Sequence, residues 1–318
     1  MFSQQVFNQL IKKRKKNLIS KIIIRLLEIL RDLLIKFNSK RLVRYELDGF
    51  DILIPLKHDL PIIKRIFPFY NSNIGRTARY LKEKYSEFQA VDVGANIGDT
   101  AIIIKSQIDV PILCVEGDKF YFDLLKKNTA NLKNIVYDNS FVGTDEKVEI
   151  NFLNYKGSAR LAVNEKPNQT IEFKSLINIV SSYKGFDNIK FLKIDTDGFD
   201  CKIIRENVGF IEKFKPVIFF EYDPYFLDLN KENGLTVFQT LLGLGYNKAL
   251  IYNNTGEFLL SLTLSNKQLL EELHLYYSGR QSDMYMDICV FHSEDNDLAE
   301  RIRILEMDLF GSYKLFNI

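Results

Sequence analysis

Three stretches of this sequence gather residues suited to holding a small polar ligand and moving a proton on it. The first, Val91-Asp92-Val93-Gly94-Ala95-Asn96-Ile97-Gly98-Asp99-Thr100, reads as an apolar strand, a glycine-bearing turn and a helix start. Gly94 and Gly98 lack a Cβ, so the backbone can turn sharply there and a ligand can approach it. Asp99 or Thr100 is placed to cap the helix, whose free N–H groups and positive dipole end face the same crevice. The second stretch, Cys114-Val115-Glu116-Gly117-Asp118, ends the next strand on Glu116, a carboxylate able to accept both hydroxyls of a ribose, with Asp118 as a helix N-cap. The third, Phe191-Leu192-Lys193-Ile194-Asp195-Thr196-Asp197-Gly198-Phe199-Asp200, sets Asp195 and Asp197 at the carboxyl end of a further strand. Lys193 before them can pair with a carboxylate, while Asp197-Gly198 also suits a tight turn and Asp200 an N-cap.

Spacing narrows the ligand. A dinucleotide loop needs G-x-G-x-x-G to bring amides against a pyrophosphate, but Asn96 stands where the middle glycine would be. No Gly-Lys-Ser/Thr follows Gly98, which removes a P-loop. A loop preceded by Asp92 suits a cationic ligand without phosphates, a description that S-adenosylmethionine fits. Methyl transfer from a sulfonium is an in-line displacement, so the protein must align the acceptor oxygen and, for an alcohol, remove its proton. Asp195 and Asp197 are the first candidates for that work. Glu221, which closes Val217-Ile218-Phe219-Phe220-Glu221-Tyr222 on the same sheet edge, is the third catalytic candidate, with Tyr222 beside it. A divalent metal between Asp195 and Asp197 is a lesser reading, and no metal site is predicted. His58 and His274 belong to no motif; His292, near the end of the last strand, is the histidine in reach of the site.

Positioning these residues requires strands that deliver them to one edge. From residue 89 onward, strands expected at 90–93, 112–116, 135–137, 147–153, 191–195, 217–222 and 288–292 alternate with helices expected at 99–106, 120–131, 175–183, 200–206, 236–244 and 266–273. That alternation predicts an α/β domain with a largely parallel sheet covered on both faces. Before it, residues 42–54 read as a hairpin around Asp48-Gly49. The organisation expected is a helical arm at 1–40, a hairpin and helix cap at 41–88, the ligand-binding domain at 89–296 and a helical tail at 297–318.

Taken in order, Val91–Gly98, Val115-Glu116-Gly117 and Phe191–Asp200 resemble the FkbM family of class I S-adenosylmethionine-dependent methyltransferases, over roughly residues 88–224. The resemblance implies a Rossmann-like sheet of seven strands, one of them antiparallel, and methyl transfer to a hydroxyl oxygen. It implies that Asp92, Gly94, Ala95, Asn96 and Gly98 form the loop at the methionine part of the cofactor, and that Glu116 binds the ribose. Asn139 and Ser140 stand where such enzymes contact adenine, and Arg76 where they close over the cofactor's carboxylate. The sequence departs from the family at Asp197, where a glutamate is usual, and at Thr196, where an apolar residue is.

Composition agrees with a folded enzyme. Of 318 residues, 46% are hydrophobic and 26% charged, which excludes disordered and collagen-like chains. Cys114, Cys201 and Cys289 lie far apart, so neither a disulfide framework nor a zinc site is encoded. The net charge of +2 hides an asymmetry: residues 1–44 hold twelve basic residues against Glu28 and Asp32, a net +10, while the remainder holds 31 basic and 39 acidic residues, a net −8. The run Lys12-Lys13-Arg14-Lys15-Lys16 precedes an amphipathic segment, 18–37, with Lys21, Arg25, Glu28, Asp32 and Lys36 on one stripe. Charges interrupt it too often for a membrane span or a signal peptide, so a cytoplasmic protein is expected. Two readings of the arm stand: contact of residues 10–37 with the surface of an anionic membrane, and packing on the body or a second subunit. The acidic body argues against a nucleic-acid partner. The expected acceptor bears a hydroxyl, on a glycan or glycolipid precursor, with a small secondary metabolite or a cofactor-binding role without catalysis as the alternatives.

Overall fold

Near-continuous apolar runs such as Ile112-Leu113-Cys114-Val115 and Val217-Ile218-Phe219-Phe220 are what a strand needs when both its faces are covered. The computed structural model describes residues 2–12, 18–155, 158–162, 169–280 and 284–316. In chain order its strands are β1 (Leu42–Leu47), β2 (Phe50–Pro55), β3 (Gln89–Val93), β4 (Ile112–Val115), β5 (Ile135–Asp138), β6 (Phe141–Val142) and β7 (Lys147–Tyr155). They continue with β8 (Ser158–Ala162), β9 (Gln169–Lys174), β10 (Ile189–Ile194), β11 (Val217–Tyr222), β12 (Tyr246–Asn253), β13 (Phe258–Thr263) and β14 (Met286–His292).

The central sheet has the order β13-β12-β14-β11-β10-β3-β4-β5. Strands β5, β4, β3, β10 and β11 are parallel neighbours, and β14 runs antiparallel to both β11 and β12. The chain leaves β3 in one direction, through β4 and β5, and returns on its other side as β10. The carboxyl ends of β3 and β10 thus flank the switch point at which open α/β sheets bind ligands.

Two expectations are corrected. The sheet has eight strands rather than seven, and two of them, β13 and β14, oppose the rest. Beyond β12 the chain turns back at Gly256, φ +83°, and adds β13 as an edge strand whose alternating burial leaves one side to solvent. The sequence reading passes over both β12 and β13, because the apolar run of β12 is short and flanked by Lys248 and Asn253. The strand expected at 147–153 exists as β7, but it belongs to a separate four-stranded sheet, β6-β9-β7-β8.

Alternation along each strand sends neighbouring side chains to opposite faces. Leu113, Val115, Leu192, Ile194, Ile218 and Phe220 meet helices Leu176–Ser181, Asp200–Glu206, Val208–Phe214 and Thr236–Gly243. Ala90, Ile112, Cys114, Phe191 and Phe219 meet Ser72–Lys84, Asp99–Gln107 and Asn296–Phe316 on the other side.

Asp48 and Gly49, at φ +47° and +88°, close the β1–β2 hairpin with the left-handed turn its twist favours. Asn128 holds the hairpin against the domain by accepting from Leu53 N at 2.8 Å and donating to Leu53 O at 2.9 Å and Ile97 O at 2.8 Å. Helix Phe2–Lys12 packs Phe7 into the same cluster. In helix Leu18–Phe37, which follows, Ile24 alone is fully buried. Residues 13–16 of the basic run lie outside the described residues. No helix among the described residues is long and apolar enough to cross a membrane.

Candidate active site

Gly94 is the first residue beyond β3, at φ +73°, and a Cβ there would lie 1.9 Å from the carbonyl oxygen of Asp195. The exits of β3 and β10 therefore pass so close that only glycine fits. Asn96 and Asp197, at φ +46° and +52°, are also left-handed, so both loops curl away from the sheet and leave a crevice between them. Gly98 serves packing instead: a Cβ would meet Leu125 and Thr129 at 2.9 Å. It is also the helix N-cap, so neither Asp99 nor Thr100 caps as expected, and Asp99 faces the crevice from the first turn.

Glu116 ties the first two loops together. Its Oε2 accepts from Asn96 N and its Oε1 from Asp118 N, both at 2.8 Å, and each oxygen keeps a lone pair for a further donor. Burial pushes this carboxyl up to about 7 although the two amides favour its charged form. Beside it lies a cavity of about 90 Å³ that opens to solvent. Val115, Phe141, Val142, Phe173, Phe199 and Ile203 wall it, with Glu116, Ser140 and the Tyr121 hydroxyl, buried without a hydrogen-bond partner among the described residues, as polar points. Gly117 admits the Phe141 ring where a Cβ would stand 2.4 Å from it.

Across Gly94, Asn96, Asp195 and Asp197, which line both spaces, the cavity adjoins a polar chamber of about 190 Å³. Its lining includes Asp99, Lys193 and Glu221, with His58, Tyr70 and Tyr285 at its edge. Lys193 Nζ stands 3.1 Å from Asp92, 3.6 Å from Asp195 and 3.2 Å from Gly94 O. Burial opposes its charge, but the carboxylates of Asp92 and Asp195 hold the ammonium well above the usual lysine range. Asp200 accepts from Thr196 Oγ1 at 3.1 Å and Gly198 N at 3.3 Å, so it shapes the loop that presents Asp195. Burial, with Asp195 adding to it, raises Glu221 well above the carboxylate range and Asp287 to about 8. Glu221 Oε1 is buried without a hydrogen-bond partner among the described residues. Burial also holds the Tyr70 and Tyr285 phenols well up, so both can donate at neutral pH, and pushes His58 down to about 4, so its ring is neutral.

The structure thus brings Gly94, Asn96, Glu116, Ser140, Asp195, Asp197 and Glu221 to one crevice. Asp92 lies beneath it, fully buried and joined to it through Lys193, and Ala95 packs into the core with its N–H on Val115 O. Asn139 stands at the rim and donates to Glu116 O at 2.7 Å and Gly117 O at 3.0 Å, which fixes the Glu116 loop.

Arg76 is the clear correction. Its guanidinium makes two 2.7 Å bonds to Glu306 of the last helix and a 2.7 Å bond to Ser72 Oγ, and it lines neither space. Tyr222 points into the core, where its hydroxyl meets His274 Nδ1 at 2.9 Å. His292 is displaced as well: β14 is antiparallel, so its carboxyl end lies on the far edge, where Nδ1 accepts from Glu294 N. The amino end of β14 instead brings Asp287 opposite Glu221. Asp287, Tyr70 and Tyr285 escape the sequence reading, which follows carboxyl strand ends and glycine loops, and His58 is set aside there because it belongs to no motif. No group of three His, Cys, Asp or Glu side chains that could hold a metal occurs among the described residues.

No family model and no curated protein matches the sequence. Among solved structures the chain is similar to precorrin-6y C5,15-methyltransferase from Geobacter metallireducens GS-15, with 11% identity and a TM-score of 0.36 over 64% of this chain and 81% of that one. It is similar to N-methyltransferase NodS from Bradyrhizobium japonicum WM9 at 8% identity and a TM-score of 0.41, covering 71% and 96%. For the METTL16 MTase domain the values are 12% and 0.41, covering 77% and 74%. TM-scores of this size carry no weight for function, which has to be read from the crevice.

Proposed function

We propose that the chain is an S-adenosylmethionine-dependent methyltransferase, FkbM-like by its three motifs, that acts on a hydroxyl of a glycan or glycolipid precursor. The observation that carries this reading is Glu116, a carboxylate fixed between two strand-end loops at the switch point, with an apolar cavity on one side and a carboxylate-lined chamber on the other. The donor set fits the cofactor: Glu116 for the ribose hydroxyls, Phe141, Val142 and Ile203 for the adenine, and Asp99 for the positive charge. S-adenosylmethionine, when bound, supplies an electrophilic methyl group. The chain's part is to bind the acceptor in the chamber, aim its oxygen and take up its proton. Asp195 is the base in this reading, because its side chain is 45% exposed and lines both the cavity and the chamber. Glu221, Tyr70 and Tyr285 offer donors to the other hydroxyls of a neutral acceptor.

The test follows label from methyl-labelled S-adenosylmethionine into a panel of sugar, glycolipid and small-alcohol acceptors, with the wild type and Asp195→Asn. Transfer by the wild type, with kcat reduced about 10²–10⁴-fold in the variant while S-adenosylhomocysteine affinity holds, is the expected result. Tight S-adenosylhomocysteine binding without transfer to any acceptor would instead make this a cofactor-binding protein.

A pH dependence follows from Glu116. Its charged form accepts hydroxyl donors better than its neutral form, so S-adenosylhomocysteine affinity is expected to be constant above about pH 7 and to fall as pH drops below it. Calorimetry between pH 5.5 and 8 reads this, and Glu116→Gln is expected to flatten the profile. A wild-type profile already flat over that range would contradict it.

A further inference from the structure

Helix Leu18–Phe37 has two apolar faces, and the fold covers one. Ile24, with Leu27, Leu30 and Leu34 around it, packs against Val6 and Leu10 of helix Phe2–Lys12. The other face carries Leu18, Ile22, Leu26, Ile29, Leu33 and Phe37, each 46–86% exposed. Their spacing of three or four residues aligns them in one stripe, which at a rise of about 1.5 Å per residue runs nearly the whole helix. Lys21, Arg25, Glu28, Asp32 and Lys36 follow one edge of that stripe by the same helical repeat, with Arg25 bridged to Glu28 at 3.3 Å. A continuous exposed apolar band of this kind marks a surface that meets something.

Charge selects the occupant. The first 44 residues carry a net +10 and the rest a net −8. Two copies joined through this face in a two-fold dimer would bring two strongly basic arms together, which costs free energy. An anionic bilayer accepts both features, with the apolar stripe in the headgroup boundary and the arm's excess of lysine and arginine near lipid phosphates.

We propose that the exposed face of helix Leu18–Phe37 docks the protein in the surface of an anionic membrane. The helix is fixed to the body while it does so: Arg31 donates to Asp59 Oδ1 at 2.6 Å and to Leu56 O at 2.9 Å. That fastens it to the loop whose His58, Asp59 and Leu60 line the chamber. Docking is independent of methyl transfer and can be tested without it.

The experiment is flotation of the full chain with vesicles of phosphatidylcholine alone and with 40% phosphatidylglycerol, at low and high salt. The wild type is expected to float with the anionic vesicles, at least tenfold more than with neutral ones, and to lose this in high salt. Ile22→Glu/Leu26→Glu/Ile29→Glu changes only exposed positions and is expected to reduce flotation at least tenfold with thermal stability unchanged. Lys21→Gln/Arg25→Gln/Lys36→Gln, which leaves the other basic residues of the arm, is expected to weaken the preference for anionic lipid. Absence of wild-type flotation, or equal flotation of the triple glutamate variant, would overturn the proposal. So would sedimentation showing a wild-type dimer that the glutamates dissociate, because the face would then join two copies of the chain.

Discussion

Lys193→Met is expected to lower the free energy of unfolding by about 3–5 kcal/mol at neutral pH, the usual cost of leaving one member of a buried ion pair alone. Asp92 is fully buried and Lys193 nearly so, 3.1 Å apart. Without the ammonium, burial raises Asp92 further still, so its proton is bound more tightly in the folded than in the unfolded chain. A carboxyl with a raised folded-state pKa adds stability below the unfolded value of about 3.9 and loses it as pH rises. The deficit of the variant is therefore expected to grow from about pH 4 towards neutrality. Asp92→Asn in the same chain removes the orphaned charge and should recover part of the loss. Urea unfolding at pH 4.5 and 7 reads both effects. A deficit under about 1 kcal/mol at pH 7 would mean that the pair contributes little to the platform under the crevice.

Gly94→Ala is the second large effect, and Gly49→Ala is its control. Both glycines have positive φ, +73° and +88°, but a Cβ at Gly49 meets nothing within 4 Å whereas one at Gly94 would sit 1.9 Å from Asp195 O. Gly49→Ala is expected to cost about 1–2 kcal/mol, from backbone strain alone. Gly94→Ala adds a steric collision with a backbone atom, for which about 1–3 kcal/mol more is typical of overpacking. Relief of that collision requires β3 and β10 to part at the switch point, so S-adenosylhomocysteine affinity is expected to fall at least a hundredfold. Equal stability losses in the two variants, with binding retained in Gly94→Ala, would contradict the tight passage of the two strand exits.

The parts of the site that were legible in the sequence are those that local chemistry writes. Gly94, Glu116 and Asp195 could be placed because a strand end, a glycine and an acid within a few residues already define a loop. The pairing of Lys193 with a carboxylate was readable for the same reason, although the burial of Asp92 beneath the crevice was not. Arg76 misled because its partner, Glu306, lies at the other end of the chain, and nothing near Arg76 announces it. Asp287 and His292 exchanged places because strand direction is a property of the sheet: an antiparallel β14 turns its amino end to the crevice. Strands β12 and β13 escape on similar grounds, since the apolar run of β12 is short and β13 is an edge strand whose pairing depends on β12 more than on its own residues. His58, Tyr70 and Tyr285 reach the chamber from loops, where no periodicity points.

The most direct measurement is calorimetric titration of the full chain at pH 7.5 with S-adenosylhomocysteine, for the wild type, Glu116→Ala and Arg76→Lys. Micromolar binding by the wild type is expected, lost at least a hundredfold in Glu116→Ala with its thermal midpoint changed little, and retained in Arg76→Lys, whose guanidinium lies outside the crevice. Absence of wild-type binding up to millimolar ligand, or binding that survives Glu116→Ala unchanged, would contradict the assignment of this crevice to S-adenosylmethionine.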